Sequence, residues 1–183
     1  DKQLESFQRV FAYQTFASTE ASEHLINSAL NVGQDQSVPA ETRTGILTLA
    51  HDQILETIKR EPENARYRLF AGSFFSRIGL LADAEKELIE ARRLSPRKQA
   101  ILFELGGFYL NQKKFADALA LFREAYELAP DFSEARKIYA LGAIYDNKLP
   151  LAADLLNAGP KDELTFLLDE RLVQAYGAIN QSN

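Results

Sequence analysis

Near neutral pH the side chains best suited to proton transfer or metal ligation are histidines, and this 183-residue chain has two, His24 and His51. Neither stands in a ligand-spaced cluster: no HExxH, CxxC or carboxylate–histidine grouping occurs. Cysteine is absent, which removes disulfides, thiolate metal sites and a cysteine nucleophile while leaving the redox compartment open. The pair Gly106-Gly107 falls inside a helical pattern, where a phosphate-cradling loop cannot form, and no GxSxG, P-loop or dinucleotide fingerprint appears. The acidic pairs Glu85/Glu87 and Glu87/Glu90 fall on a predicted helix surface and read as a solvated face. The densest basic run, Arg92, Arg93, Arg97 and Lys98, closes a helix, where cations complement the macrodipole. The sequence therefore predicts a chain with no catalytic residues, no metal and no cofactor.

Composition agrees with an ordinary helical domain. The chain is 46% hydrophobic and 26% charged, with a net charge of −5, so a nucleic-acid footprint is not expected. No run reaches the roughly 18 apolar residues of a membrane helix, and no signal-peptide pattern opens the chain. The chain starts at Asp1 and has no methionine, which reads as an excised or processed piece of a longer protein. KDEL at 161–164 is internal and so is no retention signal, and Asn180-Gln181-Ser182 has only the spacing of a glycosylation triplet.

What organises the chain is a period. Pro62, Pro96 and Pro130 stand 34 residues apart, and the text between them nearly repeats. Without gaps, Gly72 aligns with Gly106, Asp83 with Asp117, Ala84 with Ala118, Ala91 with Ala125 and Leu94 with Leu128. Phe75, Leu81 and Leu88 face Tyr109, Phe115 and Phe122 in the same alignment. Each repeat predicts two helices, at about 64–77 and 80–93, then at about 98–111 and 114–127. Glycine and alanine at the shared positions let the two helices approach closely, and each proline ends the second helix. An apolar stripe alone would fit any bundle, so the small residues are the diagnostic ones.

These residues resemble the tetratricopeptide repeat family, whose period is 34 residues. The resemblance covers roughly residues 61–159 and implies an all-α fold, an α-α superhelix or solenoid, with non-repeat helical caps at both ends. The expected organisation is a cap over 1–60 and an array over 61–183. The array holds repeats at 65–98 and 99–132, a degenerate repeat at 133–159 and a capping helix at 162–180. The cap should hold helices over 2–16, from Ser18 or Thr19 to about Val32 with Gly33 just past its end, and from Pro39 to about Arg60. In repeat three, Ala140, Leu149, Ala152 and Leu156 keep the register.

In that family the first helix of each repeat lines a concave groove. Register then carries the ligand-facing role to Arg66, Leu69, Ser73 and Arg77, to Phe103, Leu110 and Asn111, and to Lys137, Leu141, Ile144 and Tyr145. Ser76, Gly107 and Glu134 fall in the same register. The mixture of apolar and polar types suits a protein or peptide ligand, or self-association, and the alternatives are a solvated groove or one filled by a terminal helix. The family's clamp for a C-terminal carboxylate needs lysine, asparagine and arginine where this chain has Leu69, Ser73, Phe103, Glu134 and Ile138, so that ligand is disfavoured.

A second resemblance spans most of the chain. FASTEASEHLINSALNV, SVPAETRTGILTLA and LSPRKQAILFELGGFYL are similar to the soluble C-terminal repeat region of bacterial O-antigen ligase or polymerase-like membrane proteins. It implies a non-catalytic scaffold attached to a polysaccharide-handling membrane enzyme of the cell envelope. No motif of the glycan chemistry lies in this chain. The alternative is a free-standing assembly factor for pili, secretion or envelope complexes.

Overall fold

The structure, a computed structural model, describes residues 18–158 and 170–180. The helix expected over 2–16 and the start of the capping helix at 162–169 lie outside the described residues, as do Gly159 and Pro160. Nine helices form among the described residues, and no strand. They are α1 (Ser18–Gln34), α2 (Ala40–Arg60), α3 (Ala65–Arg77), α4 (Leu81–Leu94) and α5 (Gln99–Asn111), followed by α6 (Phe115–Leu128), α7 (Ser133–Tyr145), α8 (Leu149–Asn157) and α9 (Glu170–Asn180). The all-α repeat fold expected from the sequence is the fold observed. The chain divides into two compact bodies, 1–91 and 92–183, with the boundary inside α4.

The 34-residue period governs the backbone as well as the side chains. Two residues past the end of α3, α5 and α7 stands a residue with positive φ, at Gly79 (84°), Lys113 (59°) and Asn147 (55°). The next N–H groups, of Leu80, Lys114 and Lys148, reach back to the Phe75, Tyr109 and Ala143 carbonyls at 2.9, 2.9 and 2.7 Å. This six-to-one bond satisfies a helix-end carbonyl that has no partner within the helix. The turns into α3, α5 and α7 repeat too, with Asn64, Lys98 and Phe132 donating their N–H groups to the Glu61, Ser95 and Ala129 carbonyls. Repeat three therefore keeps the backbone pattern even where its side chains have drifted.

In the N-terminal body α1 pairs with α2, and α3 packs against both. This follows the same scheme as α5, α6 and α7 in the C-terminal body. Helix α1 runs through Gly33 rather than stopping before it, and Gly33 faces α2: a Cβ there would come within 3.2 Å of Leu47. The turn that follows is tied by Asp35, whose carboxylate accepts from both the Ser37 N–H (2.8 Å) and its hydroxyl (2.6 Å). Those bonds hold the Asp35 carboxyl below its ordinary pKa.

The repeat alanines Ala84, Ala91, Ala118, Ala125, Ala140 and Ala152 are all buried. A Cβ at Gly72 would lie 2.5 Å from Leu88, and one at Gly106 would overlap the Phe122 ring. Glycine at this register thus admits the large side chain of the paired helix. Phe74, Phe75 and Leu88 are fully enclosed in the N-terminal body, each stabilising the fold by about 1.5–3 kcal/mol relative to exposure.

Glu87 departs from the solvated face expected of it. It is 5% exposed, and Arg68 donates Nη1 to its Oε2 at 2.6 Å. The same guanidinium donates Nε and Nη2 to the Pro62 carbonyl at 3.1 and 3.0 Å. Its company with Glu85 and Glu90 on one acidic helix concealed a carboxylate that faces inward between α3 and α4.

Candidate functional surface

Four of the predicted groove residues stand on α3 in the N-terminal body. Arg66 is exposed at the start of the helix, with its guanidinium over the Phe70 ring, 5.4 Å from the centroid. Leu69 and Ser73 are half-buried, and Arg77 is exposed in the last turn. Helix α3 starts there because Asn64 caps it, accepting from the Arg66 N–H at 3.1 Å.

The other seven belong to the C-terminal body. Helices α5 and α7 pack against each other as well as against α6. Phe103 and Leu110 on α5, and Leu141 and Tyr145 on α7, are half-buried apolar side chains packed against the same core. The Tyr145 ring stacks on Phe115, the first residue of α6, with centroids 5.7 Å apart. Between Phe103 and Leu110 in the α5 sequence lies Gly107, where an added Cβ would meet nothing within 4 Å. Asn111 is exposed and Lys137 half-buried. Ile144 differs from the rest: at 3% exposure it belongs to the core, beside Ala143 and in the cluster that also takes Leu172 and Ala175 from α9.

Two residues escaped sequence reasoning. Gly142 on α7 lies against Phe122, where a Cβ would come within 2.6 Å of the ring. Its register partner is Phe108, so alignment gave no signal. Arg171 on α9 donates to Glu134 at 2.8 Å, and nothing in the repeat pattern points to that pair.

Chemistry is sparse elsewhere. His24 is exposed on α1, and His51 lies 3.1 Å from Asp52 with its ring 5.6 Å from that of Phe75. Among the described residues no group of three or more His, Asp or Glu side chains is placed to hold a metal ion, and no helix is long and apolar enough to cross a membrane. A cleft of about 320 Å³ in the C-terminal body is lined by Arg92, Tyr109, Lys114, Asp117 and Glu124. Within it Arg92 bonds Glu124 at 2.6 Å, and the Lys114 ammonium sits 4.9 Å above the Tyr109 ring. Burial pushes the Tyr139 phenol up from its ordinary pKa, as expected of an enclosed neutral hydroxyl.

Comparison with known proteins bears on the fold. Residues 75–131 match the family model described as tetratricopeptide repeat. No curated protein matches. Among solved structures, a crystal structure of MamA superposes with a TM-score of 0.57 at 18% identity, over 76% of this chain and 82% of that one. A second MamA structure gives 0.58 at 15% identity, over 85% of this chain and 82% of that one. A mutant of the Thermobaculum terrenum O-GlcNAc transferase gives 0.51 at 18% identity over 74% of this chain, but over only 26% of its own length. At these identities the likeness establishes the helical-repeat fold.

Proposed function

We propose that this chain is a non-catalytic tetratricopeptide scaffold that binds a protein or peptide on the faces of its first-position helices. In this reading residues 1–60 are a helical cap and 61–183 carry the repeats. The observation that supports it most is the set Phe103, Leu110, Leu141 and Tyr145. These are four apolar side chains left half-exposed beside a finished core, at the register positions that face a ligand in the family. Apolar surface of this kind costs free energy in water and is recovered by a partner. Arg66, Leu69, Ser73 and Arg77 would play the same part on α3, and Asn111 and Lys137 would fix polar ends of a ligand. Ile144 supports the surface from beneath.

The test is a peptide array probed with the wild type and with a Phe103→Ala/Tyr145→Ala variant of matched helicity. Loss of the bound set in the variant is the expected result, and an unchanged set would remove the groove from the account.

For the biological setting, the sequence resemblance supports the soluble part of an O-antigen ligase or polymerase-like membrane protein of the bacterial envelope. The repeat fold shared with MamA suits a free-standing assembly factor equally well. The reading frame upstream of Asp1 separates them: many apolar spans support the first, and a short signal peptide the second.

A further inference from the structure

The C-terminal body holds a second cleft, of about 180 Å³. Leu119 and Arg123 of α6, Tyr139 of α7, and Lys148 and Leu151 at the start of α8 line it, together with two alanines of α6. Tyr139 stands two residues before Leu141, which sets it across the helix from the ligand-facing side chains. The cleft is thus separate from the surface that would take a peptide.

One side chain in it answers no demand of the fold. Tyr139 is 8% exposed, and among the described residues its hydroxyl makes no hydrogen bond, although a donor so enclosed ordinarily has a partner. One period earlier the position is Leu105, which is buried as well, and Arg123 aligns with Ile89. The repeat therefore accepts an apolar side chain at both places, and the phenol and the guanidinium are additions made once. Burial holds the phenol neutral, and Arg123 and Lys148 both stand near enough to act on it through their charge. Those two are the only ionised groups of the lining. Glu127 and Asp146 meet them from outside it, at 3.8 and 2.8 Å, and each cation keeps donors beyond those that one carboxylate takes. Helix α8 begins at the rim with no side-chain cap, so the positive end of its dipole is on the same side.

We infer that this cleft binds a small organic monoanion, an aromatic carboxylate of about the size of benzoate. Its carboxylate accepts from the Tyr139 hydroxyl between Arg123 and Lys148, and its ring lies against Leu119 and Leu151. The size follows from the volume, since a cavity of about 150 Å³ takes a benzene ring. The charge follows from two cations and a neutral donor with no carboxylate among them, the arrangement that makes charge-assisted bonds to an anion strong. The leucine and alanine walls disfavour a wholly polar anion such as phosphate.

An NMR titration of the isotope-labelled chain with benzoate tests this, with benzamide and inorganic phosphate as comparisons. Benzoate should saturate at one molecule per chain, shifting the amide signals of Leu119, Tyr139 and Leu151 and leaving those of Phe103 and Leu110 in place. Benzamide has the shape without the charge and phosphate the charge without the ring, so each should bind at least about tenfold more weakly. Tyr139→Phe keeps the ring and should weaken benzoate about tenfold, as should Arg123→Gln and Lys148→Gln. The thermal midpoint of Tyr139→Phe should not fall, because the hydroxyl has no partner in the fold to lose. Benzoate that fails to saturate, that binds Tyr139→Phe as tightly as the wild type, or that shifts Phe103 and Leu110 instead would overturn the proposal. So would benzamide or phosphate binding as tightly as benzoate.

Discussion

Arg68 and Glu87 form a buried ion pair at the two positions that Leu102 and Leu121 occupy one period later. In the first repeat the contact is a 2.6 Å charge-assisted bond between largely enclosed groups, and in the second both positions are buried leucine. One backbone register thus accommodates two kinds of packing. Breaking the pair leaves the buried Glu87 carboxylate with only the exposed Lys86 ammonium, 3.7 Å away, as a counter-charge, whereas replacing both partners removes the desolvation cost. Arg68→Leu alone should therefore destabilise by about 3–5 kcal/mol, and Arg68→Leu with Glu87→Leu should be neutral or stabilising by about 1–4 kcal/mol. Urea denaturation of the three proteins measures both. A double variant as unstable as the single one would mean that the pair, with its bonds to the Pro62 carbonyl, does more than fill space.

The Phe122 ring is held between two glycines, Gly106 on α5 and Gly142 on α7. A methyl group at either position meets the ring below contact distance, and the ring is enclosed. Gly142→Ala should cost about 1–3 kcal/mol by overpacking, and Gly106→Leu at least as much. Because both act on one side chain, their costs should be non-additive in a double-mutant cycle. Thermal denaturation with no loss for Gly106→Leu would show that the register is wrong.

Positive φ at Lys113 and Asn147 is a cost that glycine at position 79 avoids. Lys113→Gly should stabilise the C-terminal body by up to about 1 kcal/mol, Asn147→Gly by less because asparagine tolerates this region, and Gly79→Ala should destabilise. Denaturation midpoints ordered otherwise would contradict the assignment of this turn.

The cap position of each first helix supplies a further comparison. Asn64 caps α3 with its side chain, while Lys98 and Phe132 occupy the same extended backbone before α5 and α7 and make no such bond. Phe132 is 46% exposed, so little burial is lost on replacing it. Phe132→Asn and Lys98→Asn should each add about 1 kcal/mol, and Asn64→Ala should remove a similar amount. Calorimetry of the three variants checks the sign at each site.

Much of this was legible from residue types alone, for a steric reason. A glycine or alanine where two helices cross, and a proline after the second helix, constrain the backbone one residue at a time, and such constraints survive in the sequence. Glu87 was not legible from its own helix, because spacing to Glu85 and Glu90 says nothing of what lies opposite; its alignment with Leu121 was the usable signal. Gly142 had no small register partner, and Ile144 is core in a cluster that also takes in Leu172 and Ala175 of α9, a helix outside the period. Contacts made by non-repeating elements leave no periodic trace.

The central claim is that a partner docks on the first-position helices of the C-terminal body. Site-specific photocrosslinking measures this most directly, with a photoreactive residue placed at Leu110 on α5 or, as a control, at the exposed Ala120 on α6. Using a peptide selected from the array, the account predicts crosslinking from position 110 and none from position 120. Crosslinking from position 120 alone, or equally from both, would contradict it.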